Sequence, residues 1–114
     1  MKMSFSQIIL ISSTIMLLSV GQVLFKLAAM DMKNIDISSL LQPKLILALC
    51  VYGFATVLWI AVLRYTPLVL AYPFVGLAFL IVPVLSWYWM SEPINLSTIV
   101  GGAAILIGVW IAVS

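Results

Sequence analysis

The sequence predicts an all-α membrane protein of four transmembrane helices, and three observations carry that prediction. Of the 114 residues, 66% are hydrophobic and 7% are charged, whereas a soluble domain carries about 25% charged residues. Four apolar runs, Ile8 to Met30, Leu45 to Leu63, Leu68 to Met90 and Ile94 to Val113, are each long enough to cross ~30 Å of hydrocarbon at ~1.5 Å per residue. Lys26 is the one charged residue inside any of them. A lipid-facing segment has to satisfy its own backbone, and four spans are too few to close a barrel, so each run is expected to be a helix. Together they are expected to form a single transmembrane domain over residues 1–114.

The first run has the look of a signal peptide, since Lys2 precedes an apolar core and "SVG" supplies small residues. It continues to Met30, however, and three more runs follow, so a retained helix is expected. Within it, Ser12, Ser19, Gln22 and Lys26 follow at steps of seven, three and four, which stacks them along one side of a helix with Ile15 filling the gap. Polar groups in a span face a helix bundle or a wet cavity. The stripe therefore predicts a substrate path or a subunit interface. Lys26 has a rival reading: it precedes Asp31 by five residues, so its stem can snorkel toward the headgroups. Its i, i+4 relation to Gln22, and the stripe leading up to both, favour the cavity, because a pure anchor needs no such companions.

The link "DMKNIDISSLLQPK", Asp31 to Lys44, gathers four of the eight charges with Ile35, Ile37, Leu40 and Leu41, a pattern suited to a short amphipathic turn among headgroups. The lone Cys50 in the second run excludes an intrachain disulfide and reads as a packing residue. "RYTP", Arg64 to Pro67, turns the second span into the third. The third carries Tyr72, Pro73, Gly76 and Pro83; proline inside a span frees a carbonyl and bends the helix, so a kink is expected. Trp87, Tyr88 and Trp89 at its end read as an interfacial belt. In "SEP", Ser91 to Pro93, the proline is expected in the first turn of the fourth helix, with Glu92 complementing the helix dipole. In that helix Ser97 and Gly101, then Ala104, Gly108 and Ala112, make small-residue rows at spacing four. Such rows let backbones approach closely, which predicts self-association through Gly101, Ala104 and Gly108.

There is no histidine, no carboxylate pair within a span, no metal-ligand cluster and no glycine loop for a nucleotide, so neither an enzyme nor a metal or other cofactor is expected. A nucleic-acid partner is not expected either. The basic loop residues divide evenly: Lys2 and Arg64 fall on one side of the membrane, Lys33 and Lys44 on the other, which supplies no orienting bias. Topology is then set by a partner, or the chain inserts both ways and pairs with itself antiparallel. Four helices enclose little space, so a dimer is expected, with the first span lining the cavity between the copies.

Four short spans, "GQVLFK" (Gly21 to Lys26) and a glycine-rich last span resemble the small multidrug resistance proteins of the drug/metabolite transporter superfamily. "GQVLFK", "VLWIAVLRYTP" (Val57 to Pro67), "LAYP" (Leu70 to Pro73) and "SEP", in that order, look closer still to the aminoarabinose-phosphoundecaprenol flippase subunits, an EamA-like group. The multidrug exporters carry a proton-exchanging glutamate three residues before the glycine that corresponds to Gly21. Here that position is Leu18. The resemblance thus implies a substrate other than a drug cation: a lipid-linked sugar phosphate, moved across the bacterial inner membrane by a homodimer or by a heterodimer with a related four-helix subunit. Its head would meet Lys26, Gln22 and Ser19, with Tyr72 as a further hydrogen-bonding group, and its tail would stay in membrane lipid. The charge logic agrees, since an ammonium attracts phosphate as a point charge and repels cations. An exporter of small molecules and a purely structural partner subunit are the alternatives.

Overall fold

The computed structural model describes residues 4–114; Lys2, which enters the count of basic loop residues, lies outside them. Helix α1 spans Phe5–Met30 and begins ahead of its apolar run because its cap is polar. The Ser4 hydroxyl accepts the Gln7 N–H at 3.2 Å and the Gln7 side-chain oxygen accepts the Ser4 N–H at 2.8 Å, which satisfies two of the free donors of the first turn. At the other end, the Gln42 amide donates to the Ala28 carbonyl at 3.0 Å, and Lys44 pairs with Asp31.

The link between them contains α2, Ile37–Leu40, one turn capped by Asp36. The Ser39 N–H donates to the Asp36 carboxylate at 2.8 Å and the Ser38 hydroxyl at 2.9 Å. These bonds, the Ser39 N–H first, favour the ionised form and hold the Asp36 carboxyl below its ordinary 3.8. A depressed carboxylate stabilises above the unfolded-chain value and loses that contribution as pH falls through the lower folded value. Protection of the Ser39 amide, taken relative to its intrinsic exchange rate, is therefore expected to fall on acidification below about pH 4, and Asp36→Asn to remove that pH dependence; an unchanged profile in the variant would show that the cap is not the titrating element. Ile35, Ile37 and Leu41 of this link are exposed, apolar side chains at the level where α1 ends.

Helix α3, Pro43–Tyr65, opens with its proline in the first turn, where the missing N–H costs no bond. It runs back along α1, and this is the most extensive packing in the molecule. Gly21 sets the closeness: a Cβ there would stand 3.1 Å from Tyr52 Cδ2, and the Phe25 and Tyr52 rings pair at 5.5 Å. Gly21→Leu is expected to destabilise the pair by about 1–3 kcal/mol through overpacking, read as a lower unfolding midpoint in detergent. A midpoint equal to the wild type would mean that the two helices can spread at no cost.

The third span, Leu68–Met90, is broken into α4 (Leu68–Ala71), a 3-10 segment (Tyr72–Leu77) and α5 (Ala78–Met90). The irregularity belongs to Pro73, which stands in the first turn of the 3-10 segment; α5 continues through Pro83. A proline removes one i to i−4 bond, and the chain tightens locally to three-residue turns. Helix α6, Leu96–Val113, packs on this segment more than on α5. Gly76 is the contact point, with the position of its Cβ 3.1 Å from Ile105 Cγ2 and 3.3 Å from Val109 Cγ2.

The start of α6 differs from the sequence expectation. Its cap is Asn95, whose side-chain oxygen accepts the Thr98 N–H at 3.2 Å and the Thr98 hydroxyl at 2.6 Å. Pro93 consequently lies outside the helix rather than in its first turn. Glu92 lies a further residue back, beyond the reach of a dipole whose effect fades within the first turn. Ser91 ends α5 in the left-handed region at φ 55°, which reverses the chain sharply.

The buried core gathers Ile11 and Ile15 of α1, Val62 of α3, and Ala71 and Phe74 of the third span, with Val113 of α6 packed against it. It therefore occupies the end of the bundle at which α1 begins and α3 and α6 finish. Apolar side chains elsewhere, Phe54, Val57, Ile60 and Trp110 among them, are exposed, as lipid-facing positions should be.

Candidate functional site

The four polar positions predicted on α1 and the third span do not converge. Gln22 and Lys26 are both exposed, one turn apart on α1. At about 100° per residue, they occupy a strip between two buried rows, Gly21 with Ala28 on one side and Ser19 with Val23 on the other. The helix is thus packed along both borders of a strip that shows an amide and an ammonium. Ser19 stands on a border: it is fully buried, and its hydroxyl donates to the Ile15 carbonyl at 2.8 Å, so its polarity is satisfied within its own helix. Tyr72 is exposed, between Ala71 and Phe74, which pack with Ile11 and Ile15, whereas Lys26 lies eleven residues beyond Ile15, about 16 Å farther along the helix. Leu18, where a proton-exchanging acid would stand, packs against the core cluster.

Gly101, Ala104 and Gly108 are exposed on α6, and nothing lies within 4 Å of a Cβ built at either glycine. The glycine that serves packing inside the chain is Gly102, whose Cβ position falls 2.3 Å from Leu80 Cδ2. The row of small residues is therefore unused by this chain's own fold.

Two features were missed by sequence reasoning. Gln7, besides capping α1, donates to the Tyr65 carbonyl at 2.9 Å and the Thr66 hydroxyl at 3.2 Å, joining the start of α1 to the end of α3 beside a cavity of about 390 Å³. The S-x-x-Q pattern of Ser4 and Gln7 was the available signal. The other feature is a cleft of about 580 Å³ between α5 and α6, walled by Phe79, Pro83, Trp87, Ile99 and Leu106. No local pattern announced it, because its walls come from two separate helices. Among the described residues, no three histidine, cysteine or acidic side chains lie together to hold a metal ion.

These elements define a class: a multi-pass α-helical membrane protein with a cation and an amide displayed on a strip of its first span. The chain belongs to the EamA-like transporter family, which it matches over residues 2–114. It is similar to the probable 4-amino-4-deoxy-L-arabinose-phosphoundecaprenol flippase subunit ArnE of Proteus mirabilis, 28% identical over 109 residues and covering 94% of each chain. It is likewise similar to the ArnE of Pseudomonas fluorescens, 30% identical over 80% of this chain and 88% of the relative. The probable flippase subunit ArnF of Yersinia enterocolitica is 34% identical over 60% of this chain and 58% of its own. No solved structure matches the chain.

Proposed function

We propose that this chain is one subunit of a flippase that carries a polyprenyl-phosphate-linked sugar across the bacterial inner membrane, working as a single four-helix domain in a dimer and not as an enzyme. The observation that carries this reading is the exposed pair Gln22 and Lys26 on α1, in a protein with no acidic residue in any of its spans. A cation without a countercharge inside a span favours an anionic group such as phosphate. Similarity to relatives named for an aminoarabinose-phosphoundecaprenol substrate supports the same class of cargo.

The partner is a related four-helix chain or a second copy. Relatives of two kinds, ArnE and ArnF, are both named as flippase subunits, which supports a two-chain assembly. The unused face of Gly101, Ala104 and Gly108 on α6 is the surface we assign to it, since close-packed small residues are what hold helices together in lipid.

The test is a deletion strain in which the lipid-linked sugar is followed on both leaflets. The expected result is normal synthesis, accumulation on the cytoplasmic face, and loss of the sugar from the envelope. An unchanged envelope, with heightened sensitivity to cationic drugs instead, would replace the flippase with an exporter.

A further inference from the structure

We propose that the cleft between α5 and α6 seats the substrate lipid, with its prenyl chain in the apolar part and an ammonium group of its sugar facing Glu92. This rests on the flippase reading above and adds where the lipid binds and what selects its head. Helix α6 comes close to the third span where Gly76 faces Ile105 and Val109 and where Gly102 faces Leu80. The cleft lies beside these contacts, and its lining runs from Leu80 and Leu106 to Trp87 and Ile94.

The cleft is graded along its length. Its larger part, about 580 Å³, is almost wholly apolar. Through Pro83, Ile94 and Thr98 it runs into a smaller space of about 240 Å³ that holds Ser86 and Glu92. A site that passes from hydrocarbon-like walls to a hydroxyl and a carboxylate fits a molecule with a long apolar tail and a polar, cationic head.

Glu92 has no other occupation in the fold. It stands too far before α6 to complement the helix dipole, as Asn95 takes the cap. The one ion pair among the described residues joins Lys44 to Asp31, so among those residues no cation pairs with the Glu92 carboxylate. Its backbone is tied down instead: the Glu92 N–H donates to the Ser86 carbonyl at 3.4 Å, after the left-handed turn at Ser91. Lys26 lies toward the same end of the bundle, near the end of α1. That end thus offers a cation for phosphate and a carboxylate for an amine, the charge pattern of a phosphate-linked amino sugar. An anionic phospholipid would be repelled by Glu92.

The experiment measures equilibrium binding to the full chain in phosphatidylcholine nanodiscs. The probes are a short prenyl phosphate carrying a 4-amino sugar, the same lipid with a hydroxyl in place of the amine, and phosphatidylethanolamine. Glu92→Gln is expected to weaken the amino lipid about tenfold, the scale of one charged hydrogen bond, and to leave the hydroxyl lipid unchanged. Ala103→Trp, at an exposed position lining the apolar part, should fill the cleft and weaken both. Equal effects of Glu92→Gln on the two prenyl lipids, or phosphatidylethanolamine competing as well as the amino lipid, would overturn the assignment. If the wild type binds both prenyl lipids and neither substitution alters this, the cleft assignment falls and the flippase reading stands; if the wild type binds neither, both fall.

Discussion

Lys26→Ala is expected to reduce transport of the lipid-linked sugar by about tenfold or more while the protein still inserts and assembles. The side chain is exposed on α1, so its removal opens no cavity and orphans no buried partner, and the folded state should be indifferent to it. On the proposed reading, what disappears is a charged hydrogen bond to phosphate, a contribution of about 1.5–3 kcal/mol. Lys26→Gln should behave in the same way because the charge is gone. Lys26→Arg should retain part of the activity, as it keeps the charge and changes the shape from a point to a planar fork. Ser19→Ala is the contrasting variant: its hydroxyl is bonded to the Ile15 carbonyl, and any effect should appear in stability rather than in transport. The measurement is flipping of a synthetic prenyl-phosphate sugar in proteoliposomes. Normal flipping by Lys26→Ala would assign the residue to anchoring in the headgroup region.

The second large effect is on assembly. Gly108→Leu is expected to weaken dimer association more than about tenfold, because leucine holds apart helices that small residues bring together. The structure makes this a clean test, since nothing of the same chain lies within 4 Å of a Cβ at Gly108 and the protomer has room for the new side chain. Gly102→Leu makes the comparison. Its Cβ alone would collide with Leu80, so it should damage the packing of α6 within the protomer and lower the unfolding midpoint. Association is read in detergent and in bilayers, and labelling of cysteines placed beside Lys2 and beside Lys44 in intact cells reads orientation. A Gly108→Leu monomer that still transports would sink the dimer; labelling from one side only would exclude dual insertion and leave a parallel or mixed pair.

Much of this was legible in the sequence, for a simple reason. A bilayer demands long apolar segments with their backbones closed on themselves, and that demand is written into composition and run length over many residues at once. The four spanning helices could be counted from it, and the motif "GQVLFK" could be singled out because a cation is costly there. The structure then divides that motif by face. Gly21 and Phe25 meet Tyr52 of α3, while Gln22 and Lys26 remain exposed.

Faces were harder to read, because helical periodicity gives relative rotation and not which side a neighbour takes. Ser19 shares a stripe with Gln22 and Lys26 on a helical wheel, yet a neighbour covers it and leaves them open. Gly101 and Gly102 are adjacent in the chain, and only the position of Leu80 decides which one packs within the protomer.

By itself, then, the sequence determined the solvent, the number of spans, the rarity of charge within them and the absence of any acid from them. Each of these is a property of residue type along a line. Tertiary structure alone decided that Pro73 and not Pro83 carries the irregularity of the third span, that Asn95 displaces Pro93 and Glu92 from the start of α6, and that α5 and α6 wall a cleft ending at a carboxylate. Those outcomes depend on competition between local options, a proline against a packed neighbour or one cap against another, and the winner is set by contacts with residues distant in the chain.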